Sequence, residues 1–483
     1  FMSIVIDDKK ITNINISNKN VQKIVDELTG KIIFEKTSSN EYFYIENTYD
    51  GSNTISLKTT IGSDNITGSH ATQLQYSKDK ETWTTITLSG TNRIPMNSGE
   101  RVYFRNDSGS FNWYNYSNSQ DSFYTQIKCS NNHKVGGNIN SLLDYNNYNV
   151  AITPYCFYQL FYENEYLTDA NELIFSKTSL APYCYQYMFY NCTSLTAAPA
   201  LPATTLVEGC YQSMFQGCTA LTSAPKLPAT TLSNYCYNQM FNSCTSLTTA
   251  PKLPSTTLAP YCYRSMFGGC TSLTTAPALP ATTLTEYCYY GMFNSCSSLT
   301  SAPKLPATTL ASNCYRLMFR NCTSLTTAPE LPATTLVDNC YGEMFWNCSK
   351  LTVAPSLPAT TLVKYCYNRM FRECTSLVNA PSLPATTLEY HCYGEMFYGC
   401  TSLTTSPVLP ATTLVDECYY YMFYNCSSLN NVTSYANDIS SGTEYTLMWL
   451  SNVAATGTFH NLGSATYPRS GNGIPTGWTE VKN

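Results

Sequence analysis

One 26-residue unit is repeated ten times from Cys184 to Cys426 without an insertion or a deletion. It reads C-Y-x-x-M-F-x-x-C-T-S-L-T-x-A-P-x-L-P-A-T-T-L-x-x-x, and the copies, coils 1 to 10, begin at residues 184, 210, 236, 262, 288, 314, 340, 366, 392 and 418. Coil 10 is truncated. A lone unit of this length cannot bury its own apolar face, so strict register predicts that each coil stacks on the next. We therefore expect a solenoid whose function lies on its surface and at its ends.

Each coil is predicted to contain a short helix followed by a short parallel strand. In coil 1, a helical wheel places on one apolar stripe the residues Cys184, Tyr185, Met188, Phe189 and Cys192. The residues between them vary among coils and are expected to face outward. Pro199 and Pro202 remove backbone donors and restrict the residues before them, so the rest of the coil cannot be helical. We expect a brief strand around Ser194 to Ala197 and then an extended run into Leu206.

The core M-F-x-x-C-T-S-L-T-x-A-P-x-L-P resembles BspA-like leucine-rich repeats and their Met-Phe-containing surface-protein relatives, in which a small residue and Phe precede x-x-C-x-x-L. The resemblance covers residues 156 to 430. The unit here is longer than is usual in that family, because Cys-Tyr is added before Met-Phe. The resemblance implies an α+β repeat solenoid, and the strand pattern described next implies a small all-β domain before it.

The sequence divides into four predicted segments. Residues 1–38 form a short β-rich attachment module, and residues 39–150 form an all-β, sandwich-like domain with a junction to the solenoid. The solenoid, residues 151–430, starts with an imperfect N-terminal capping coil at 156–183. Residues 431–483 form a C-terminal cap, because end repeats must close the exposed core.

Strands in the all-β domain are expected where alternating or β-branched runs lie between Gly-rich and Asn/Asp-rich turns. These runs are Glu41 to Glu46, Thr54 to Thr60, Thr72 to Ser77, Trp83 to Leu88 and Glu100 to Arg105. The domain also offers Trp113, Tyr114 and Tyr116 for binding a sugar. Packing in the core or at a strand edge is the alternative role for these aromatic residues.

The first 35 residues contain β-like runs at Ile4 to Ile6, Ile11 to Ile16 and Lys31 to Glu35. They resemble short Ile-rich modules at the head of tail-associated proteins in phages of gut bacteria, which end in Gly-x-x-Ile-aromatic-Glu. The matching residues are Ile11, Ile14, Val21, Ile24, Gly30, Ile33, Phe34 and Glu35. The resemblance implies contacts with other virion proteins through residues 1–38, or oligomerisation through the N-terminal modules. An ordinary β-hairpin leader is the alternative.

Composition excludes several classes of function. A net charge of -5 and a pI of about 5.5 give no electrostatic footprint for nucleic acid. No run of about 20 apolar residues is present to span a membrane. The first residues lack the basic and apolar stretches of a secretory signal, so we expect release by lysis or assembly, or a signal already trimmed.

The 22 cysteines are expected to be reduced and buried. The two in one coil lie eight residues apart, which on a helix is about 12 Å and too far for a disulfide. Buried thiols acting as small apolar side chains explain them, although pairing between coils stays open. Because the spacing is not that of a zinc site and the chain has only 4 histidines, no metal and no cofactor are predicted.

No sequence motif indicates catalysis. The chain lacks a Gly-rich phosphate loop, an H-E-x-x-H motif and a nucleophile elbow, and acidic residues are scattered about one per coil. We therefore predict that the protein is not an enzyme.

The position after Met-Phe forms a column along the solenoid, and from coil 6 it holds large side chains. These are Arg320, Trp346, Arg372, Tyr398 and Tyr424. Guanidinium groups attract aromatic faces, and both are enriched at binding hot spots. Our hypothesis is that Trp346 stacks on a sugar ring or a partner side chain while Arg320 and Arg372 orient its polar groups. The alternatives are that Trp346 merely covers the next coil, or that the column is solvated surface variation.

A second variable column lies between Pro and Leu-Pro. It comprises Lys226, Lys252, Ala278, Lys304, Glu330, Ser356 and Ser382. Solvated variation at exposed sites is the simplest account of this column as well.

These features predict a non-enzymatic adhesion or receptor-binding protein with a bacterial or host surface protein or glycan as its partner. A phage tail-associated or fibre protein that contacts a bacterial surface is the leading form, which places the chain in the virion. A bacterial BspA-like adhesin, extracellular or on the cell surface, is the first alternative. A purely structural virion or filament component is the second.

Overall fold

The structure is a computed structural model of the 483-residue chain. It describes residues 4–6, 9–11, 23–25, 32–35, 41–61, 72–88, 90–106, 114–115, 123–175, 180–440 and 444–482. In the first segment, strands β1 (Ile4–Ile6) and β2 (Lys9–Ile11) pair antiparallel, as do β3 (Lys23–Val25) and β4 (Ile32–Glu35). The predicted strand from Ile11 to Ile16 lies mostly outside the described residues.

Two sheets form the domain that follows. Its strands are β5 (Phe43–Asn47), β6 (Asn53–Ile61), β7 (Thr72–Ser77), β8 (Thr84–Leu88), β9 (Thr91–Met96), β10 (Arg101–Arg105), β11 (Tyr114–Asn115), β12 (Phe123–Cys129) and β13 (His133–Asn138), and β14 (Leu167–Ile174) joins from the solenoid. One sheet has the order β14-β13-β5-β10-β7-β8 and the other β11-β12-β6-β9. Alternating side chains of both sheets, among them Phe104 and Ile55, are buried in one core.

Strands occur at each of the five places where the sequence pattern predicts them in this domain. Strands β9, β11, β12 and β13 were not predicted; in β9 the exposed Pro95 lies between the buried Ile94 and Met96. Trp113, Tyr116 and the side chain of Tyr114 lie outside the described part of the structure, so the sugar-binding hypothesis for them stays a prediction.

The β-domain and the solenoid share a sheet at their junction. Strand β13 pairs antiparallel with β5 and parallel with β14, and a 3-10 helix, Ile139–Leu142, follows it. The buried His133 ring joins the two parts: its Nδ1 lies 3.0 Å from the carbonyl oxygen of Asn131, and Nδ2 of Asn164 lies 3.1 Å from its Nε2. The capping coil therefore continues the core of the β-domain.

The helix predicted in each coil is wrong. Residues 183–192 comprise the residue before coil 1 and the first nine residues of that coil. They form a chain of tight turns that we call the turn ribbon of coil 1, and the equivalent residues form one in every coil. Alternate N–H groups bond three residues back, as Met240 does to Tyr237 at 3.2 Å, while the others bond the next coil, as Gln239 does to Arg264 at 2.8 Å. The α component of the predicted fold class is therefore replaced by turns that pair from coil to coil.

Every fourth residue of the ribbon has a positive φ. In coil 1 these residues are Tyr183, Tyr187 and Asn191, with φ between 53° and 57°, and all ten coils repeat the pattern. This left-handed conformation is open to Gly and tolerated by Asn, but it costs other residues roughly 1–2 kcal/mol each. None of the ribbon residues with positive φ is Val, Ile or Thr, for which the conformation is worst. The bonds between coils hold it in place.

The apolar residues of each ribbon are inside, as the stripe predicts. Cys184, Tyr185, Met188, Phe189 and Cys192 are all fully buried, and the other coils are equivalent. The inner Phe rings stack from coil to coil with centroids 5.2 to 5.8 Å apart, and the inner Tyr rings form a parallel ladder. Such columns bury the apolar face that one coil cannot bury alone.

All 22 cysteines are free, buried thiols. The second cysteine of each coil donates its S–H to the carbonyl oxygen of the inner Phe in the preceding coil, as Cys296 does to Phe267 at 3.1 Å. This bond recurs from Cys192 to Cys426 at 3.0 to 3.1 Å. The thiols therefore act as hydrogen-bond donors between coils as well as small apolar groups.

The predicted strand of each coil is reduced to a single β-bridge residue. Parallel bridges join neighbouring coils at pairs such as Ser223–Thr249 and Thr249–Thr275. The proline column that follows explains the shortness, because proline has no N–H to donate to a ladder. Longer strands occur at both ends of the solenoid. At the N-terminal end β14 pairs with β13, and at the C-terminal end β15 (Thr405–Leu409), β16 (Asn431–Ser434), β17 (Gly457–Asn461) and β18 (Trp478–Lys482) form a parallel sheet.

The C-terminal segment continues the ribbon and then closes it. N–H groups of Tyr419 and Phe423 bond the carbonyls of Tyr445 and Trp449, so residues 444–452 form one more turn ribbon. Trp449 is fully buried and stacks between Tyr419 and Tyr467. A large aromatic residue therefore ends the inner column.

Glycine substitutions distinguish a turn ribbon from a helix. Gln239 has a φ of 56°, whereas Gln216, in the preceding coil, is not among the residues with positive φ. Gln239→Gly should leave stability unchanged or raise it by up to about 1 kcal/mol, because the relief of the left-handed strain offsets the greater freedom of Gly in the unfolded chain. Gln216→Gly should lower stability by about 0.5–1 kcal/mol. Urea unfolding midpoints measure both effects, and equal destabilisation would support a helix instead.

The buried His133 predicts a pH dependence of stability. Burial lowers its pKa from 6.5 to about 4. The unfolded chain therefore takes up a proton below pH 6.5, whereas the folded chain binds it only near pH 4. The free energy of unfolding is highest above pH 6.5 and falls by about 3 kcal/mol as the pH drops to 4. Unfolding midpoints of the wild type and of His133→Gln between pH 7 and 4 test this. The slope should be smaller in the variant, and equal slopes would contradict the assignment.

Candidate binding face of the solenoid

The residues that vary among coils lie on one side of the turn ribbon, which we call the outer face. In coil 1 it comprises Tyr183, Gln186, Tyr187, Tyr190 and Asn191, and the equivalent residues of each coil continue it. These side chains are mostly half-buried, since each lies against its counterparts in the neighbouring coils. The outer face is thus a continuous surface of ten stacked coils.

The five residues of the predicted binding column are in contact along this face. The Arg320 guanidinium lies 4.0 Å from the centre of the Trp346 ring, and that of Arg372 lies 5.0 Å from it. Arg372 also lies 3.9 Å from the ring of Tyr398, whose centroid is 5.0 Å from that of Tyr424. The prediction that stacking brings Arg320, Trp346 and Arg372 within side-chain reach is therefore confirmed.

Carboxylates that the sequence analysis missed neutralise this column. Glu343 pairs with Arg316 at 2.8 Å and with Arg320 at 3.9 Å, and Glu395 pairs with Arg369 and Arg372. The side chains of Glu343 and Glu395 are only 7% and 8% exposed, so these ion pairs are internal to the protein. Sequence spacing could have suggested these pairs. Each Glu lies three residues after the start of its coil, and the arginines that it pairs with belong to the preceding coil.

Trp346 is held on several sides. Guanidinium groups from the coils before and after approach its ring, and its Nε1 lies 3.2 Å from a carboxylate oxygen of Glu373. A sugar stacked on the ring would have to displace one of these arginines. The hypothesis that Trp346 stacks on a ligand stays a prediction, and the geometry favours the role of covering the adjacent coils.

A second polar cluster lies at the edge of the outer face in coils 8 to 10. His391 is buried, with Nδ2 of Asn368 2.8 Å from its Nδ1 and a Glu417 oxygen 3.4 Å from its Nε2. The hydroxyl of Tyr390 donates to Glu417 at 3.0 Å. Burial lowers the pKa of His391, partly opposed by Glu417. This cluster links the coils and was not predicted from the sequence.

A tyrosine ladder occupies the same edge in coils 3 to 5. Tyr235, Tyr261 and Tyr287, each directly before a start cysteine, stack with centroids 4.6 and 4.7 Å apart. Arg264 lies beside the ladder, 5.9 Å from the Tyr261 ring and 5.4 Å from that of Tyr290. The sequence analysis missed this patch because it followed only the column after Met-Phe.

The second predicted column is exposed at every position from Lys226 to Ser382. Between coils 5 and 6 it borders a shallow groove of about 390 Å³ lined mainly by prolines, with Lys304 and Glu330 at its sides. Within the described ranges, no three His, Cys, Asp or Glu side chains are grouped as a metal site would require. The same ranges contain no helix with the length and hydropathy that a membrane span needs.

Comparison with known proteins identifies the family. Residues 142–300, 237–352, 289–430 and 385–467 match the model described as a BspA type leucine rich repeat region. Because these ranges cover more than half of the chain, the protein belongs to the BspA-type leucine-rich repeat family, as the repeat motif predicted. The match begins at residue 142, so the phage-like resemblance of the first 35 residues stays a prediction.

The other comparisons add little. No curated protein matches the sequence. The crystal structure of a TLR13–ssRNA13 complex matches with 14% identity and a TM-score of 0.22, over 71% of this chain and 42% of that chain. The chain thus spans less than half of the length of that structure's chain.

The contacts of Trp346 predict its contribution to stability. Trp346→Ala removes two cation–π contacts of about 0.5–1 kcal/mol each and some apolar burial, so it should cost about 1–3 kcal/mol. Tyr435→Ala, at an exposed aromatic residue, should change stability by less than about 0.5 kcal/mol. Unfolding midpoints measure both costs. If a folded Trp346→Ala protein keeps its stability but loses binding to a ligand, the sequence-based hypothesis is supported instead.

Proposed function

We propose that the protein is a non-enzymatic adhesion or receptor-binding protein that uses the outer face of its solenoid to hold a surface glycan or protein. Family membership supports a binding role, since leucine-rich-repeat solenoids present extended surfaces to partners. The β-rich segments before the solenoid would then attach it to its carrier.

The observation that carries this proposal is where the coils differ. The Thr-Thr pair of the motif, such as Thr282 and Thr283, is exposed yet unchanged in all nine full coils. On the outer face, by contrast, the position after Met-Phe holds Tyr, Gln, Asn, Gly, Arg or Trp in different coils. Exposure alone does not explain this contrast. Outside this face the column between Pro and Leu-Pro also varies, but the outer face varies at five positions of each coil. Variation concentrated on one face is expected where that face recognises a ligand.

The backbone beneath the outer face is rigid. Each second N–H group of a ribbon bonds the next coil, and the remaining ones bond within the ribbon. Side chains on such a scaffold lose little freedom when a ligand binds, which favours affinity. A rigid backbone that carries different side chains in each coil therefore suits ligand recognition.

The chemistry of the cysteines supports a non-enzymatic role. Burial raises the pKa of the thiols, to about 12 for Cys156, Cys270 and Cys426. A protonated, buried thiol is neither a nucleophile nor a metal ligand. The most numerous reactive residue type of the chain is thus used for packing.

Two settings fit this proposal. The leading one is a phage tail-associated or fibre protein that contacts a bacterial surface, for which the isoleucine-rich first segment is the support. The other is a bacterial cell-surface adhesin that binds host or bacterial proteins, which the family membership supports. Neighbouring capsid and tail genes would select the first setting, and a signal sequence or anchor in the unprocessed gene would select the second.

The experiment is a binding screen of the full chain against glycan arrays and whole gut-bacterial cells, followed by tests of which face binds. Bulky changes on the outer face, Gln216→Trp in coil 2 and Asn294→Trp in coil 5, are paired with Thr222→Trp and Thr300→Trp at the exposed bridge side of the same coils. At least one outer-face variant should weaken binding tenfold or more, while its paired threonine variant should bind like the wild type.

The outcomes separate the candidate functions. Loss of binding only in the threonine variants would contradict the use of the outer face. If the folded wild type binds no cell, glycan or surface protein, the proposal is wrong and the structural-component alternative is favoured.

A further inference from the structure

Arg264 differs from the other arginines of the ten coils because no carboxylate among the described residues pairs with it. Arg316, Arg320, Arg369 and Arg372 each pair with Glu343 or Glu395. Within the described residues, Arg264 forms no ion pair and no side-chain hydrogen bond; its Nε is buried without an acceptor, as are those of Arg316, Arg320 and Arg372. Glu286, an exposed carboxylate at the same edge, is not paired with it. The guanidinium is thus available to an anion from outside the chain.

Aromatic rings fix the position of this free guanidinium. Arg264 lies between the rings of Tyr261 and Tyr290, at 5.9 and 5.4 Å from their centroids. Tyr287 completes the group, with its ring 5.5 Å from that of Tyr290 and tilted by 48°. The three tyrosines are only half-buried, so their rings border the surface beside the cation. A cation held in this way loses little freedom on binding.

Two buried glycines lie beside Arg264 in coils 4 and 5. Gly268 occupies the position at which the neighbouring coils have Asn242 and Asn294, and Gly291 adjoins it in the next coil. A Cβ built on Gly268 would lie 2.6 Å from Nδ2 of Asn242, so the Asn242 amide covers this glycine. The surface beside Arg264 therefore consists of the Asn242 amide and the tyrosine rings.

A second unsatisfied group occurs in the preceding coil. Asn238, at the position equivalent to Arg264, is 3% exposed, and its Oδ1 has no hydrogen-bond partner. Buried polar atoms are nearly always bonded, so unpaired ones mark places where a bound molecule or water completes the site. Asn238 and Arg264 thus place an unused acceptor and an unused donor at equivalent positions of two successive coils.

The chemistry of the groups around Arg264 selects the ligand. One unpaired guanidinium suits one carboxylate, which it binds through two parallel hydrogen bonds. The neighbouring side chains add a neutral amide, which bonds hydroxyl groups, and aromatic rings, which pack against apolar sugar faces. A nucleic acid or polyphosphate would require several cations, and the patch has one. A sugar unit with a single carboxylate matches this set of groups.

We propose that coils 4 and 5 contain a binding site for a carboxylate-bearing sugar, in which Arg264 pairs with the carboxylate and Tyr287 and Tyr290 border the ring. The proposal rests on the proposed function, because it assigns a ligand class to one part of the outer face. It also separates this site from the column around Trp346, whose charges are already paired.

The test uses the full chain and oligosaccharides that end in glucuronate or N-acetylneuraminate, compared with the same oligosaccharides without the acidic unit. Calorimetric titration should show at least tenfold tighter binding of the acidic forms. Arg264→Gln should remove this preference. Tyr290→Ala, which removes a ring that borders the sugar, should weaken binding at least tenfold. Arg264→Lys should restore part of the affinity lost in Arg264→Gln, since Lys retains the positive charge but cannot donate the two parallel hydrogen bonds of a guanidinium.

Controls distinguish this site from general charge attraction. Lys252→Gln removes one exposed positive charge outside the outer face and should change the affinity by less than twofold. Circular dichroism and the unfolding midpoint verify that each variant is folded. Unchanged acidic-sugar binding by folded Arg264→Gln and Tyr290→Ala would overturn the inference.

Failure of this inference differs from failure of the proposed function. If Gln216→Trp abolishes binding to cells while Arg264→Gln binds them normally, the sugar site is wrong and the binding role of the outer face stands. If an acidic peptide, rather than an acidic sugar, depends on Arg264, the assigned ligand class is also wrong. Absence of binding to every glycan, cell and surface protein would overturn both proposals.

Discussion

The hydrogen bonds between the ribbons of adjacent coils are the interaction on which the rest of the solenoid depends. Each ribbon contains three residues in the left-handed region, and outside this stack such a run would be unstable for most residue types. Pairing alternate N–H groups with the next coil gives every ribbon N–H group of coils 1 to 9 an acceptor. The same pairing sets the alignment of the inner Cys, Tyr, Met and Phe columns, and therefore also of every outer column.

The sequence predicted which ribbon residues are buried but not how the ribbon is built. Residues at i, i+4 and i+8 share a face in an α-helix, and they do so equally in a chain of turns with a four-residue period. Cys184, Met188 and Cys192 therefore satisfy both structures. One position could have distinguished a turn ribbon from a helix. The residue directly before the second cysteine is Gly in three coils, at Gly217, Gly269 and Gly399, and is mostly Asn or Ser in the others. Such residues favour a positive φ and weaken a helix.

The candidate sites show the same limit. Exact register was enough to predict that Arg320, Trp346 and Arg372 are neighbours, because it aligns equivalent positions. It did not predict that Glu343 and Glu395 neutralise them, since contacts between different positions of adjacent coils depend on the ribbon geometry. Arg264 was overlooked for the same reason. Its distinguishing feature is that no carboxylate of an adjacent coil pairs with it, which the sequence does not show. The column around Trp346 and the patch around Arg264 therefore differ in charge pairing across coils rather than in residue size.

The thiol bonds have a further consequence for how such a chain changes. Every junction between coils 1 and 10 uses the same atoms at the same offset, since from coil 2 onward the second cysteine bonds the Phe carbonyl 29 residues earlier. A coil therefore fits between any two others, and a gene that gains or loses one unit preserves the core. Each added unit would lengthen the molecule by about 4.8 Å, the spacing of neighbouring strands. The reach of the protein and the order of its recognition residues can thus evolve by duplication while its packing stays constant.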